Sequence, residues 1–150
     1  MLNRLKALLA GPSGPEPPTP ESRGRHAVAA LMLALARSDD DYSSAEREAV
    51  RLILERDLEV PSDEVDGLLA EADEARAASI DLWSFTHSVR EEWNREERFG
   101  ILVMLWRVAL ADGRLAGRED HLMHRLGDLL GFSQRELIRA KQDAKGPRPR

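Results

Sequence analysis

The sequence predicts an all-α protein of about seven helices, arranged as two pseudo-symmetric three-helix repeats joined by a linking helix. Between about residues 22 and 145, apolar residues recur at helical spacing, and no segment alternates between apolar and polar residues as a half-buried strand does. Serine followed three positions later by glutamate marks a helix start, and proline or glycine marks several ends. The pattern of the first half also recurs in the second half, which is typical of an internal repeat.

The first unit contains three predicted helices. The first covers about residues 22–38 and is apolar on all sides over residues 27–36, which indicates a buried central helix. The second begins near Ser43, because the Ser43 hydroxyl and the Glu46 carboxylate can each satisfy a free backbone N–H group at a helix start. The third follows a proline and is predicted to be capped by Ser62.

The linking helix and the second unit complete the chain. The linking helix is expected over about residues 81–92, with its cap at residue 79 or 81. The second unit begins with an almost entirely apolar helix over about residues 95–111, followed by a helix over residues 117–130. Gly131 suits the left-handed position after a helix end, and the last helix starts after Ser133.

Large apolar side chains are expected to fill the spaces between these helices. Trp83, Trp93 and Trp106 are interpreted as packing residues rather than as a binding surface, and Leu137 and Ile138 are expected to face inward. The mixed charges over residues 71–76 and 90–98 are interpreted as solvated helical faces.

The repeat brings the same acidic residues into both units. Asp39 and Glu46 recur 73 residues later as Asp112 and Glu119. In each unit the Asp opens the loop after the central helix, and the Glu lies in the first turn of the next helix. Two such units usually pack about a pseudo-two-fold axis.

These residues resemble the tellurite-resistance protein B (TerB)-like family, over about residues 25–142. The resemblance implies an all-α fold with internal duplication, and a metal site made of acidic residues in the two loops. Two features depart from the family pattern: Asp40 stands where the first loop usually has Gly, and Ala116 stands where the second often has Asp or Ser. The stretches that carry the resemblance are residues 105–115, 119–122, 129–133 and 137–141, together with 81–86.

The acidic loops offer the oxygen ligands that Ca²⁺ and Mg²⁺ prefer. The metal-site hypothesis requires Asp39, Glu46, Asp112 and Glu119 to converge on one divalent cation, with Asp41 as a further candidate ligand. A structural alternative stays open, since Asp is common where a helix ends in a turn and Glu is favoured in a first turn. His121 and His124 are expected to be surface residues rather than metal ligands.

Composition and motifs argue against most enzyme classes. No Cys is present, and we find no glycine-rich phosphate loop, no nucleophile elbow and no organic-cofactor motif. We therefore expect no catalytic residues, although a metal-dependent phosphohydrolase stays a minor alternative. Nucleic-acid binding is not expected, because acidic residues outnumber basic ones 27 to 22 and the net charge is −5.

Three segments are expected along the chain: a short N-terminal helix with a Pro/Gly-rich tether over residues 1–21, a helical domain over 22–145, and a flexible tail over 146–150. No apolar run approaches the ~20 residues of a membrane span, so a cytoplasmic protein is expected, with weak membrane-surface contact through the N-terminal helix. The leading hypothesis is a cation-binding protein of a stress or metalloid response. The alternative is a metal-independent protein-interaction module with membrane-associated or co-chaperone partners.

Overall fold

The all-α prediction is confirmed by a computed structural model, which describes residues 20–37, 43–77, 82–111, 113 and 117–146. Within these ranges the chain forms seven α-helices and no β-strand. The predicted N-terminal helix and C-terminal tail lie largely outside the described residues. The helices are α1 (Pro20–Ala36), α2 (Ser44–Arg56), α3 (Ser62–Ala77), α4 (Leu82–Glu92), α5 (Arg95–Ala109), α6 (Gly117–Leu129) and α7 (Gln134–Lys145).

The helix starts follow from local hydrogen bonding. The capping box predicted at Ser43 is present, and two more occur at Asn94 and Ser133. The cap predicted at Ser62 is wrong, because α3 already includes Ser62 and the turn is closed by the Glu64 N–H donating to the Pro61 carbonyl at 2.8 Å. Residues 79 and 81, the alternative caps of the linking helix, lie outside the described residues.

Two apolar helices, α1 and α5, pack against each other at the centre of the fold. Within each half the central helix contacts the two helices that follow it: α2 and α3 pack on α1, and α6 and α7 pack on α5. Across the halves, α2 also packs on α5 and α6 also packs on α1, so each contact has a counterpart. The linking helix α4 has no such counterpart and packs on α1, α5 and α6.

The inward orientation expected for two large side chains is wrong. Trp83 is 58% exposed and Ile138 is 51% exposed. The inner face of α4 is made by Phe85, Thr86 and Val89, so Trp83 lies on the outer face and stacks on the His87 ring, 4.6 Å between centroids. Trp106 is buried and Trp93 is half-buried, as expected for packing residues. On α7 the buried stripe runs through Leu137 and Ala140, and Ile138 falls beside it.

The turn between α6 and α7 has the geometry predicted at Gly131. Its φ is 90°, the Gly131 N–H donates to Asp128 O at 3.0 Å, and the Phe132 N–H donates to Gly127 O at 2.9 Å. This pair of bonds is a Schellman motif, which satisfies carbonyls that the helix end leaves free. In the first half, the non-glycine residue Glu59 takes the corresponding left-handed position, with φ 55°. The two turns share this left-handed position but not their hydrogen bonds, because the Val60 N–H donates to Leu54 O, six residues back, whereas the Phe132 N–H donates to Gly127 O, five residues back.

Glu136 joins this turn to the start of α5. Its carboxylate accepts the Ser133 N–H at 2.9 Å and both of its oxygens lie 2.8 Å from Arg95 Nη2. The Ser133 N–H and then the Arg95 guanidinium lower the pKa of Glu136 from 4.5 to about 2. Since the folded-state pKa is depressed, the stabilisation by the ionised carboxylate is complete above about pH 4.5 and is lost as pH falls from 4.5 towards 2.

We therefore expect the melting temperature of Glu136→Gln to lie below that of the wild type at neutral pH, and the difference to shrink as pH falls from about 4.5 towards 2. Thermal denaturation followed by circular dichroism at a series of pH values measures this difference. Glu96→Gln, at an exposed position in the first turn of α5, is the control. A difference that stays constant across this pH range would contradict the expected linkage.

No helix among the described residues is both long and apolar enough to cross a bilayer.

Candidate functional site

The candidate site is built around Glu46, in the first turn of α2. The Ser43 N–H and the Ser43 hydroxyl donate to Glu46 Oε1 at 3.1 and 3.0 Å, and the Glu46 N–H donates to Ser43 Oγ at 3.1 Å. The capping box therefore fixes the position of this carboxylate at the end of the loop. Glu46 is only 1% exposed, which is unusual for a glutamate.

Glu119 has the same place in the second half. It lies in the first turn of α6 and is also 1% exposed. In the sequence, Ala116 stands where Ser43 stands in the first half, so the second helix start has no hydroxyl to accept the Glu119 N–H. Helix-start chemistry thus gives a reason for the position of the Glu46 carboxylate.

Burial of two carboxylates changes what this region can do chemically. A carboxylate removed from water is costly unless hydrogen bonds or a positive charge stabilise it. The helices that carry them, α2 and α6, each pack on both central helices, so both acids belong to the core region of the fold. In the part of the chain that the structure describes, α2 and α6 do not pack against each other.

The other predicted ligands, Asp39, Asp41 and Asp112, lie outside the described residues. Convergence of the four principal ligands therefore stays a prediction. Among the residues that the structure describes, no group of three or more His, Asp or Glu side chains is placed to hold a metal ion.

The histidines lie at the surface, as predicted for His121 and His124. His121 is exposed, and the partly exposed His124 has Nε2 3.7 Å from Asp120 Oδ2 on the same helix. His87 pairs with Glu91 in addition to its contact with Trp83.

Residues 90–98, interpreted from the sequence as a solvated face, contain a feature that the sequence did not reveal. Arg90 and Arg95 both reach the turn between α6 and α7, and Arg98 lies one helical turn beyond Arg95. In the sequence these arginines alternate with glutamates, as on a solvated helix face. The sequence did not reveal the cluster, because Arg90 and Arg95 meet at a turn more than thirty residues away.

Comparison with known proteins identifies a family. A family model described as "Tellurite resistance protein TerB" matches residues 25–142. No curated protein matches the chain, and no solved structure does.

Proposed function

Because the chain belongs to the tellurite-resistance protein B (TerB) family, we propose that it is a helical module that binds a divalent cation, Ca²⁺ or Mg²⁺, through the carboxylates of its two repeated loops. The proposed ligands are Asp39, Glu46, Asp112 and Glu119, with Asp41 as a further candidate. The module would act in a cytoplasmic stress or metalloid response, in keeping with the description of the family.

The burial of both glutamates is the observation that supports this proposal most. Glu46 and Glu119 are each 1% exposed, although they lie 73 positions apart in different helices. Both glutamates lie in the first turn of a helix that follows an acidic loop, so their carboxylates are buried at matching places in the two halves. A cation at the loop that precedes each helix would stabilise the ionised form of these buried carboxylates.

The matched helix contacts support the view that the two halves are repeats. If α1–α3 and α5–α7 are related by a pseudo-two-fold axis, the two Asp-containing loops have equivalent positions relative to the central helices. The departure at Ala116 would then make the second loop the poorer source of ligands. We therefore propose a single site to which the first loop contributes more.

The exposed Trp83 favours a second candidate, a protein-interaction module that needs no ion. Tryptophan is enriched among the residues that dominate binding energy at protein interfaces, and this ring is 58% exposed beside His87. A membrane-associated or co-chaperone protein is the proposed partner. Equal recovery of a partner in chelator and in added metal, lost in Trp83→Ala, would favour this candidate over the first.

Isothermal titration calorimetry with Ca²⁺, Mg²⁺ and Mn²⁺ tests the cation proposal. We expect saturable binding by the wild type and a large loss of affinity in Glu119→Gln and Asp112→Asn. Metal at a hundred times its dissociation constant should raise the free energy of unfolding by about 2.7 kcal/mol, and chelator should remove that gain.

Asp120→Asn is the matched control, because Asp120 follows Glu119 in the same first turn but is partly exposed. It should bind metal as the wild type does. Negligible heats with all three ions, or equal affinity in Asp112→Asn and the wild type, would overturn the proposal.

A further inference from the structure

We infer that Arg90, Arg95 and Arg98 form a binding site for a phosphate-class oxyanion where α4 and α5 meet the turn between α6 and α7. This site is separate from the acidic loops of the proposed cation site, and it takes a ligand of the opposite charge.

Two of the guanidinium groups meet at Gly131. Arg95 Nη1 donates to the Gly131 carbonyl at 3.0 Å, and Arg95 Nη2 pairs with both oxygens of Glu136. Arg90 approaches from α4, where its Nη1 is 3.4 Å from the Leu129 carbonyl. The same guanidinium is so close to Gly131 that a Cβ on this glycine would lie 3.7 Å from Arg90 Cζ.

Arg98 extends the cluster along α5. It follows Arg95 by three residues, so both side chains project from the same face of the helix. Its Nε is buried and has no acceptor, and its guanidinium forms no hydrogen bond or ion pair with any described residue. Burial, followed by the charges of Arg90 and Arg95, lowers the pKa of Arg98. Other arginines of the fold do have carboxylate partners, as in Arg37–Asp73, Arg51–Asp66 and Arg107–Asp57.

The end of α6 accounts for the positions of Arg90 and Arg95 but not for that of Arg98. Arg90 and Arg95 donate to carbonyls at the end of α6, where a positive charge is favourable. Arg98 has no such role. A guanidinium whose Nε is buried without an acceptor, beside two like charges, is unfavourable, and an anion from outside the chain would compensate it.

The balance of charge indicates what kind of anion fits. Among these contacts, three guanidinium groups are matched by one carboxylate, Glu136. The charges that act on Arg98 are those of Arg90 and Arg95, with no carboxylate among them. Arg90 and Arg98 thus have no carboxylate in these contacts, and a phosphate group, which carries about −1.5 to −2 at neutral pH, complements two such charges.

Geometry also favours a phosphate over a single carboxylate. Arg90 and Arg98 come from different helices, and each guanidinium presents a planar fork of N–H donors. A tetrahedral anion presents oxygens in several directions and suits two forks that approach from different helices, whereas the acceptor sites of a carboxylate lie in one plane. Access is open, because Arg90 and Arg95 are exposed and Arg98 is half-buried.

Titration with inorganic phosphate and with pyrophosphate, in buffer that contains EDTA and at constant ionic strength adjusted with NaCl, tests the inference. The readouts are the melting temperature and the side-chain Nε–Hε resonances of arginine in nuclear magnetic resonance spectra. We expect both anions to raise the melting temperature above the chloride reference, pyrophosphate more than phosphate, and the Arg98 resonance to shift on saturation. Glycerol 2-phosphate, in a third arm, shows whether a phosphate ester is accepted as well as the free anion.

Arg98→Gln should weaken binding about tenfold or more, because it removes the charge and most donors. Arg98→Lys keeps the charge but lacks the paired N–H donors of the guanidinium, so it should also weaken phosphate binding. This variant replaces Arg98→Gln in the test if the glutamine variant folds poorly. Arg125→Gln, at an exposed position on α6, is the matched control and should bind as the wild type does. The inference is overturned if phosphate and pyrophosphate act no differently from chloride, or if Arg98→Gln and Arg125→Gln bind equally well. EDTA keeps this outcome independent of the cation proposal.

Discussion

Replacing Trp106 with alanine is expected to lower the free energy of unfolding by about 3–5 kcal/mol. The side chain is 1% exposed in the interface between α5 and α7, and its Nε1 donates to the Leu137 carbonyl at 3.1 Å. Truncation leaves a large cavity and removes this hydrogen bond across the interface. A loss of this size is a large part of the 5–15 kcal/mol typical of a domain, so the variant should be only marginally stable.

Trp83→Ala is the matched control for this measurement. The same chemical change at a residue that is 58% exposed should alter the free energy of unfolding by no more than about 0.5 kcal/mol. Urea denaturation followed by circular dichroism measures both variants without relying on tryptophan fluorescence. Equal losses in the two variants would contradict the packing described for α5 and α7.

The second large effect is expected at Gly24, where α1 and α4 approach closely. A Cβ at this glycine would lie 2.8 Å from Trp93 Cη2 and 2.9 Å from Glu92 Cγ. Alanine in a helix interior usually stabilises by about 0.5–1 kcal/mol relative to glycine. Here the steric conflict with the indole ring should outweigh that gain, so Gly24→Ala is expected to destabilise the protein by about 1–3 kcal/mol.

Gly67 provides the opposite case on α3. A Cβ there meets nothing within 4 Å, so Gly67→Ala should stabilise the protein by about 0.5–1 kcal/mol. Urea denaturation should show a lower free energy of unfolding for Gly24→Ala and a higher one for Gly67→Ala than for the wild type. If Gly24→Ala were as stabilising as Gly67→Ala, the close approach of α1 and α4 would be wrong.

The two proposed sites have opposite charges and lie in different parts of the fold. The acidic loops belong to the starts of α2 and α6, and the arginine cluster lies at the opposite end of α6, beside the Gly131 turn. A protein with net charge −5 can therefore offer separate places for a cation and for a phosphate-class anion. Neither site requires a thiol or an organic cofactor.

The sequence by itself determined the helices and several of their ends. Apolar spacing located α1 to α7, the Ser43–Glu46 spacing located a capping box, and Gly131 located a left-handed turn. Each of these features depends on residues within one or two turns, through backbone hydrogen bonds or the conformational freedom of glycine. Such local physics can be read from the order of residues.

Only the tertiary structure decided which side chains are buried and which charges meet. Helical spacing did not distinguish the outward Trp83 from the buried Trp106, because the difference depends on which neighbouring helix covers each face. The burial of Glu119 and the meeting of Arg90 and Arg95 at Gly131 likewise depend on residues far apart in the chain. Packing sets these distances, and so it determines the electrostatic environment of the buried glutamates and of the clustered arginines.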